Sequence, residues 1–172
     1  RIDKSLEMYE RLEHAEKVGY LRGLKTVCQA IIDYIKKYAD AAAKMAEEEK
    51  DADQKAIYEL IAADCAYIAE NAPSTYHQTI QWLQFAIMTV RIGGHGNGYG
   101  RLDLYLNDFY QKDIKEGRIT RQDAREYLAE MFLKIRGQHF SIGGRLKDGS
   151  DASNEMSFVI LESYDMIDDY NN

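Results

Sequence analysis

The sequence predicts a mainly α-helical fold with at most one or two strands. Three observations carry that reading. There is one proline in 172 residues, which disfavours a loop-rich chain and favours long helices. Apolar residues recur at three- and four-residue intervals over most of the length. Capping side chains stand where those periodic runs begin.

Taken in order, residues 4 to 25 are charged and mixed, with Leu6, Tyr9, Leu12 and Ala15 at helical spacing, and read as one helix. From Thr26 the pattern sharpens: Cys28, Ile31, Ile32, Ile35, Ala39 and Ala42 share one helical face. The charge run Glu47-Glu48-Glu49-Lys50-Asp51 reads as a solvated helix end and turn. Ile57, Leu60, Ile61, Cys65 and Ile68 mark the next amphipathic helix, which pairs with the preceding one as an antiparallel hairpin. Asn71-Ala72-Pro73-Ser74 breaks the pattern, and Thr75 with Gln78 reads as a capping box. The helix from Tyr76 to about Arg91 is apolar almost all round, so it expects burial on all sides, either as a central helix or against a neighbour outside this sequence.

After the glycine-rich stretch 93–100, Arg101 to about Lys115 reads as a helix with Leu102, Tyr105, Leu106 and Phe109 on its inner side, ended by Gly117 as a left-handed cap. Thr120 caps a helix to about Ile135, with Ala124, Tyr127, Leu128, Met131 and Phe132 inside. Residues 138–142 alternate and predict a short strand, and Gly143-Gly144 and Lys147-Asp148-Gly149 predict turns. Asp151 to Glu155 supply caps for a last helix from about Ser153 to Asp168, with Met156, Val159, Ile160 and Tyr164 inside. The organisation is thus a helical hairpin layer over 1–70, then a buried helix, a glycine-rich loop, further helices and a short strand over 71–172.

Composition narrows the function. Lys+Arg is 22 and Asp+Glu is 29, a formal net charge of -7, so the basic footprint that nucleic acid or an anionic membrane needs is missing. The longest apolar stretches, such as Phe85-Ala86-Ile87-Met88, are too short to span a bilayer. The two cysteines, Cys28 and Cys65, are far apart, which fits a reducing cytoplasm and excludes a disulfide scaffold. Both fall on apolar helix faces and read as core residues. No Cys-x-x-Cys, His-Glu-x-x-His or paired Glu-x-x-His pattern is present, so no metal site is expected. The start at Arg1, without a signal peptide, reads as an interior segment of something longer or a processed product.

The strongest local feature is Gly93-Gly94-His95-Gly96-Asn97-Gly98-Tyr99-Gly100, five glycines in eight residues. It is neither a Walker loop nor a dinucleotide fingerprint. Two readings stand side by side: a loop whose backbone, with His95 and Asn97, approaches a ligand, or a tight connection between helices. His95, flanked by glycines, is a candidate hydrogen-bonding or acid/base group. His77, in a first helical turn, reads as structural; His139 and His14 give no argument. Arg101 and Asp103 pair charges at a helix start, which is an adequate structural role.

Several blocks together resemble the large domain of glycyl radical enzymes. They are Asn71-Ala72-Pro73-Ser74-Thr75-Tyr76-His77-Gln78, Gly94-His95, Gly100-Arg101-Leu102-Asp103-Leu104-Tyr105-Leu106, Phe109-Tyr110, Glu116-Gly117-Arg118-Ile119-Thr120, and Asp148 to Ser157. The likeness is to the pyruvate formate-lyase-like domain in its glycerol/diol dehydratase-like branch. It implies a ten-stranded α/β barrel wrapped by helices, from which this chain is cut as an interior, mostly helical fragment. It implies a glycyl radical, installed by an S-adenosylmethionine iron–sulfur activating enzyme, that makes a thiyl on a cysteine and so drives elimination from a small polar substrate. Neither the cysteine loop nor the C-terminal radical glycine matches anything here, so no catalytic residue is expected in this segment, and no cofactor is expected to bind to it. The implied partners are the rest of the parent enzyme, the activating enzyme, the substrate and a second copy in a homodimer, in an anaerobic cytoplasm.

By the same resemblance His95 stands at a Gly-His position that lines the active-site cavity. Gly96 replaces a serine common there in dehydratases, and Asn97 and Tyr99 are the compensating candidates. Two rival readings remain: a stand-alone helical interaction module, and an acid/base enzyme built on His95.

Overall fold

The computed structural model describes residues 1–11, 14–92, 94, 98–134 and 139–167. Among them are seven α-helices and two short strands, in two compact units, Arg1–Asn71 and Ala72–Asn172. None of these helices is long and apolar enough to cross a membrane.

The first unit holds α1 (Ile2–Arg11), α2 (Ala15–Glu48) and α3 (Ala52–Ile68). The single helix expected over 4–25 is instead split at His14, whose backbone leaves the helical region at φ -87° and ψ 74°. Neither glycine nor proline marks that break. Helix α2 then runs unbroken through Gly19, Gly23 and Thr26 for 34 residues, about 50 Å. Helix α1 lies on α2 with Leu6 and Tyr9 half-buried, and the pairs Arg22–Glu10 (2.7 Å) and Lys25–Asp3 (2.5 Å) join their exposed edges. The expected hairpin forms between α2 and α3. Asp51 caps α3 by accepting from the Gln54 N–H at 2.9 Å. Small residues set the contact: Ala39, Ala42 and Ala46 of α2 are buried with Ile35, and Cys65 and Ile68 of α3 with them. Ile57 and Leu60, expected inside, are exposed.

The second unit holds α4 (Tyr76–Ile92), β1 (Gly100–Arg101), α5 (Leu102–Lys115), α6 (Arg121–Lys134), β2 (Phe140–Ser141) and α7 (Glu155–Asp165). Its core joins Tyr76 and Ile80 of α4, Leu102, Leu106 and Tyr110 of α5, Leu128 and Met131 of α6, and Met156, Val159 and Ile160 of α7. Burying such side chains is worth about 1.5–3 kcal/mol each, so this cluster holds the helices together. Helix α4 is not buried all round: Phe85 is buried, whereas Trp82 is 42% and Ile92 81% exposed. On α5 Phe109 packs against the core as expected, and Tyr110 is buried there, whereas Tyr105, expected inside, is exposed. Tyr164 of α7 is likewise partly exposed.

The caps follow the sequence with one exchange of partner. Thr75 Oγ1 accepts from the Gln78 N–H at 3.2 Å, but the Gln78 side chain returns to Ser74, accepting from its N–H at 3.0 Å and its hydroxyl at 2.9 Å. Gly117 is left-handed at φ 69°, and the bonds Gly117 N–H to Ile114 O and Arg118 N–H to Asp113 O complete a Schellman end. Thr120 and Asp123 cap α6 reciprocally, and Asn154 and Ser157 do so for α7. Ile135 and Asp168, the expected helix ends, lie outside the described residues.

The strand expected over 138–142 is β2, two residues long, and Gln138 lies outside the described residues. Its partner β1 was not expected. The two run parallel, Gly100 opposite Phe140 and Arg101 opposite Ser141. Phe140 stacks on Phe132 at 5.3 Å between ring centres, and Phe132 stacks on Tyr164 at 4.5 Å, so an aromatic column fixes β2 against α6 and α7.

Candidate functional site

The candidate site lies where the glycine-rich stretch enters β1. Of its named residues, His95, Gly96 and Asn97 lie outside the described residues, and Tyr99 lies within them. The backbone there is tightly set. The Tyr99 N–H donates to the His139 carbonyl at 2.8 Å, one step before the β1–β2 ladder. A side chain at Gly98 would meet that same carbonyl oxygen at 2.6 Å, so only glycine allows the two chains this close.

Tyr99 itself is 4% exposed and belongs to the core of its unit. Its hydroxyl is buried and has no hydrogen-bond partner among the described residues. Burial pushes the phenol up to about 12, against a smaller opposing pull from the Arg91 charge. The group therefore stays protonated near neutral pH and acts as a hydrogen-bonding hydroxyl, not as a phenolate.

Immediately after Tyr99 stands a saturated carboxylate. Asp103, fully buried, takes Arg101 Nε on Oδ1 at 3.2 Å and the Leu104 N–H at 3.0 Å. On Oδ2 it takes the Gly143 N–H at 2.7 Å and the Ser157 hydroxyl at 2.8 Å. Burial pushes its carboxyl up, but the Gly143, Arg101 and Ser157 donors outweigh that and hold it below the usual carboxylate value. The charge pairing of Arg101 with Asp103 was readable from sequence. The convergence of Gly143 and Ser157 on the same carboxylate was not, since nothing local links residues that far apart. The turn at Gly143 and the cap of α7 are thus both tied to this carboxylate.

The other histidines have structural surroundings. His77 packs on the Tyr127 ring at 4.7 Å, beside a cavity of about 30 Å³, room for little more than a water. His14 marks the break before α2, and His139 contributes its backbone carbonyl. Cys65 is buried, and burial first, then Asp64, pushes its thiol up to about 11. Cys28 is half-buried on α2. Among the described residues no group of three or more His, Cys, Asp or Glu side chains gathers as a ligand set.

Comparison with known proteins gives these features a context. The pyruvate formate lyase-like family profile matches residues 1–171. The isethionate sulfite-lyase of Nitratidesulfovibrio vulgaris is 31% identical over 92% of this chain and 22% of its own length. The trans-4-hydroxy-L-proline dehydratase of Clostridioides difficile is 31% identical over 94% of this chain and 23% of its own. Among solved structures, a glycyl radical enzyme from Archaeoglobus fulgidus overlays 96% of this chain and 24% of its own with a TM-score of 0.89 at 26% identity. The Clostridioides difficile hydroxyproline dehydratase with trans-4-hydroxy-L-proline bound overlays 95% of this chain and 24% of its own with a TM-score of 0.87 at 30% identity. The chain spans less than a quarter of the length of these relatives.

Proposed function

This chain belongs to the pyruvate formate lyase-like family, and on that premise we propose that it is a segment of a glycyl radical lyase or dehydratase. The parent would remove a leaving group from a small polar, hydroxyl-bearing substrate after a cysteine-centred radical takes a substrate hydrogen. The observation that supports this most is the overlay of nearly the whole chain on glycyl radical enzymes. The named relatives act on isethionate and on trans-4-hydroxy-L-proline, both small, polar and hydroxylated.

Within that reading the segment contributes framework and pocket wall, not the radical chemistry. Neither cysteine suits hydrogen abstraction: Cys65 is buried in α3 with a raised thiol, and Cys28 lies on the long helix α2. The pocket lining would come from His95, Gly96, Asn97 and Tyr99, with the β1–β2 pair and the Asp103 knot setting where that stretch leaves the core. The radical glycine, the thiyl cysteine, the activating enzyme, the second subunit of a homodimer and a cytoplasmic setting all belong to the same proposal.

The test is genetic and then biochemical. The reading frame continued on both sides should encode a cysteine loop and a C-terminal glycine motif. The complete product should eliminate sulfite or water only after anaerobic activation with S-adenosylmethionine, while residues 1–172 alone turn nothing over. An isolated chain that turns over substrate, or a complete gene lacking both motifs, would overturn the proposal.

A further inference from the structure

The long helix α2 carries a second apolar stripe beside the buried one. From Tyr20 to Met45 its members follow one another at alternating steps of four and three residues, the spacing that keeps one helix face turned toward one helical partner over many turns. Each stands one residue before a covered one: Tyr34 before Ile35, Tyr38 before Ala39, Met45 before Ala46. On α3, Leu60 and Tyr67 likewise precede the half-buried Ile61 and the buried Ile68. Residues one step after covered positions meet on the other side of the hairpin, where Lys36 pairs with Glu70 and Glu47 shares a groove with Lys55 and Glu59. The two outer stripes therefore lie on one common side. That side is open: Tyr20 is 73% exposed, Val27 53% and Met45 47%, and Ile57, Leu60 and Tyr67 continue it along α3. In projection the strip measures about 500–600 Å², close to the ~600 Å² per partner at which stable interfaces begin.

The occupant can be read from the stripe itself. A two-fold axis at its midpoint, between Ile32 and Asp33, lays α2 antiparallel on a second α2 along nearly its whole length. Tyr20 then meets Met45 of the other copy, Val27 meets Tyr38, Ile31 meets Tyr34 and Leu24 meets Ala41. Each tyrosine faces an aliphatic side chain, and the leucine faces the smallest member, so large residues interdigitate with smaller ones. Lys37 and Lys44, which edge the stripe, come opposite Ala30 and Gly23 and not opposite each other. We propose that this side of the first unit is the docking surface for a second copy of the same chain, packed antiparallel through α2 about that axis. The inference rests on the homodimer of the reading above and gives that partner a face and a register.

Sedimentation equilibrium of the 172-residue chain at ~20 μM tests it. The expected mass is twice 19.8 kDa. Val27→Lys and Tyr38→Glu each place an unpaired charge in the seam and should raise the dissociation constant ~100-fold. Both positions are exposed within one copy, so circular dichroism should show unchanged helix content. Mixed one to one, the two variants should recover a heterodimer, since position 27 of one copy meets position 38 of the other. Lys55→Glu, on the opposite side of the hairpin, should leave the dimer intact. A monomeric unsubstituted chain overturns the proposal and assigns the strip to other polypeptide of the parent. A dimer that survives Val27→Lys, or a pair of variants that fails to recover, overturns it as well. No substrate or radical enters these readouts, so a monomeric chain would leave the elimination reading standing, and an inactive parent would leave the dimer standing.

Discussion

The Ser157 hydroxyl donates to Asp103 Oδ2 at 2.8 Å while accepting from the Asn154 N–H at 3.1 Å. One hydroxyl thus closes the capping box of α7 and seals the carboxylate at the start of α5. Because Asp103 is fully buried and Arg101 depends on it, its removal strands a charge. Asp103→Ala should lower stability by about 3–5 kcal/mol, and Ser157→Ala by about 1–2 kcal/mol. By contrast Glu162→Gln, which breaks a partly exposed pair with Arg121, should lose no more than about 1 kcal/mol. Urea unfolding of the three variants gives the order directly, and an Asp103→Ala loss as small as that of Glu162→Gln would refute the assignment of the knot.

The acid limb of stability follows from the same group. The native Asp103 carboxyl lies below its usual value, so the unfolded chain binds this proton more readily. The stabilisation is complete above the unfolded carboxylate value, near pH 4, and disappears as pH falls through the native value. Glu162, lowered first by its hydrogen bond from Arg121, acts in the same direction. The urea midpoint of the parent chain should fall more steeply below pH 4 than that of Asp103→Asn, the two curves converging in acid. Parallel curves would show that another group governs acid unfolding.

Glycines divide by surroundings. Gly19 and Gly23 lie in exposed helix with open space where a side chain would stand, so alanine at each should add about 0.5–1 kcal/mol. Gly117→Ala meets no atom but must hold φ 69°, a loss of about 1–2 kcal/mol. Gly98→Ala must push away the His139 carbonyl and should lose about 1–3 kcal/mol. Hydrogen exchange separates the last two: the Tyr99 amide should exchange faster in Gly98→Ala and unchanged in Gly117→Ala.

The cysteines should differ in reactivity. Thiolate is the reacting form, and Cys65 is both covered and raised to about 11. Iodoacetamide at pH 8 should label Cys28 first, with Cys65 labelled only on unfolding. Peptide mass mapping reads the order, and equal labelling of the native chain would contradict the packing of α3 on α2.

Much of the helical framework could be read from spacing alone because helix faces are local. Ala124, Leu128, Met131 and Phe132 are buried as their spacing requires, and Gly117 ends α5 as expected. The failures have physical reasons. The break at His14 has no glycine or proline beside it to mark it in the sequence. Strand β1 has two residues, too few for an alternation to register, and exists only because β2 lies beside it. Tyr105 and Tyr110 both fit an amphipathic helix, and packing alone decides which faces inward. At the candidate site, Tyr99 was visible as a residue type in a suggestive stretch. That its hydroxyl meets no partner among the described residues depends on everything packed around it and has no signature in sequence.

The Asp113 carboxylate, 1% exposed, accepts the Tyr76 N–H at 2.8 Å and is gripped by Arg118. The first residue of α4 is thereby fastened to the last turn of α5, and the intervening polypeptide is a closed ring with a non-covalent clasp. That clasp ties the two helices together independently of the path the chain takes between them. The polypeptide between them is anchored at both ends, so the start of α4 and the last turn of α5 keep their register through side chains outside that polypeptide's own course.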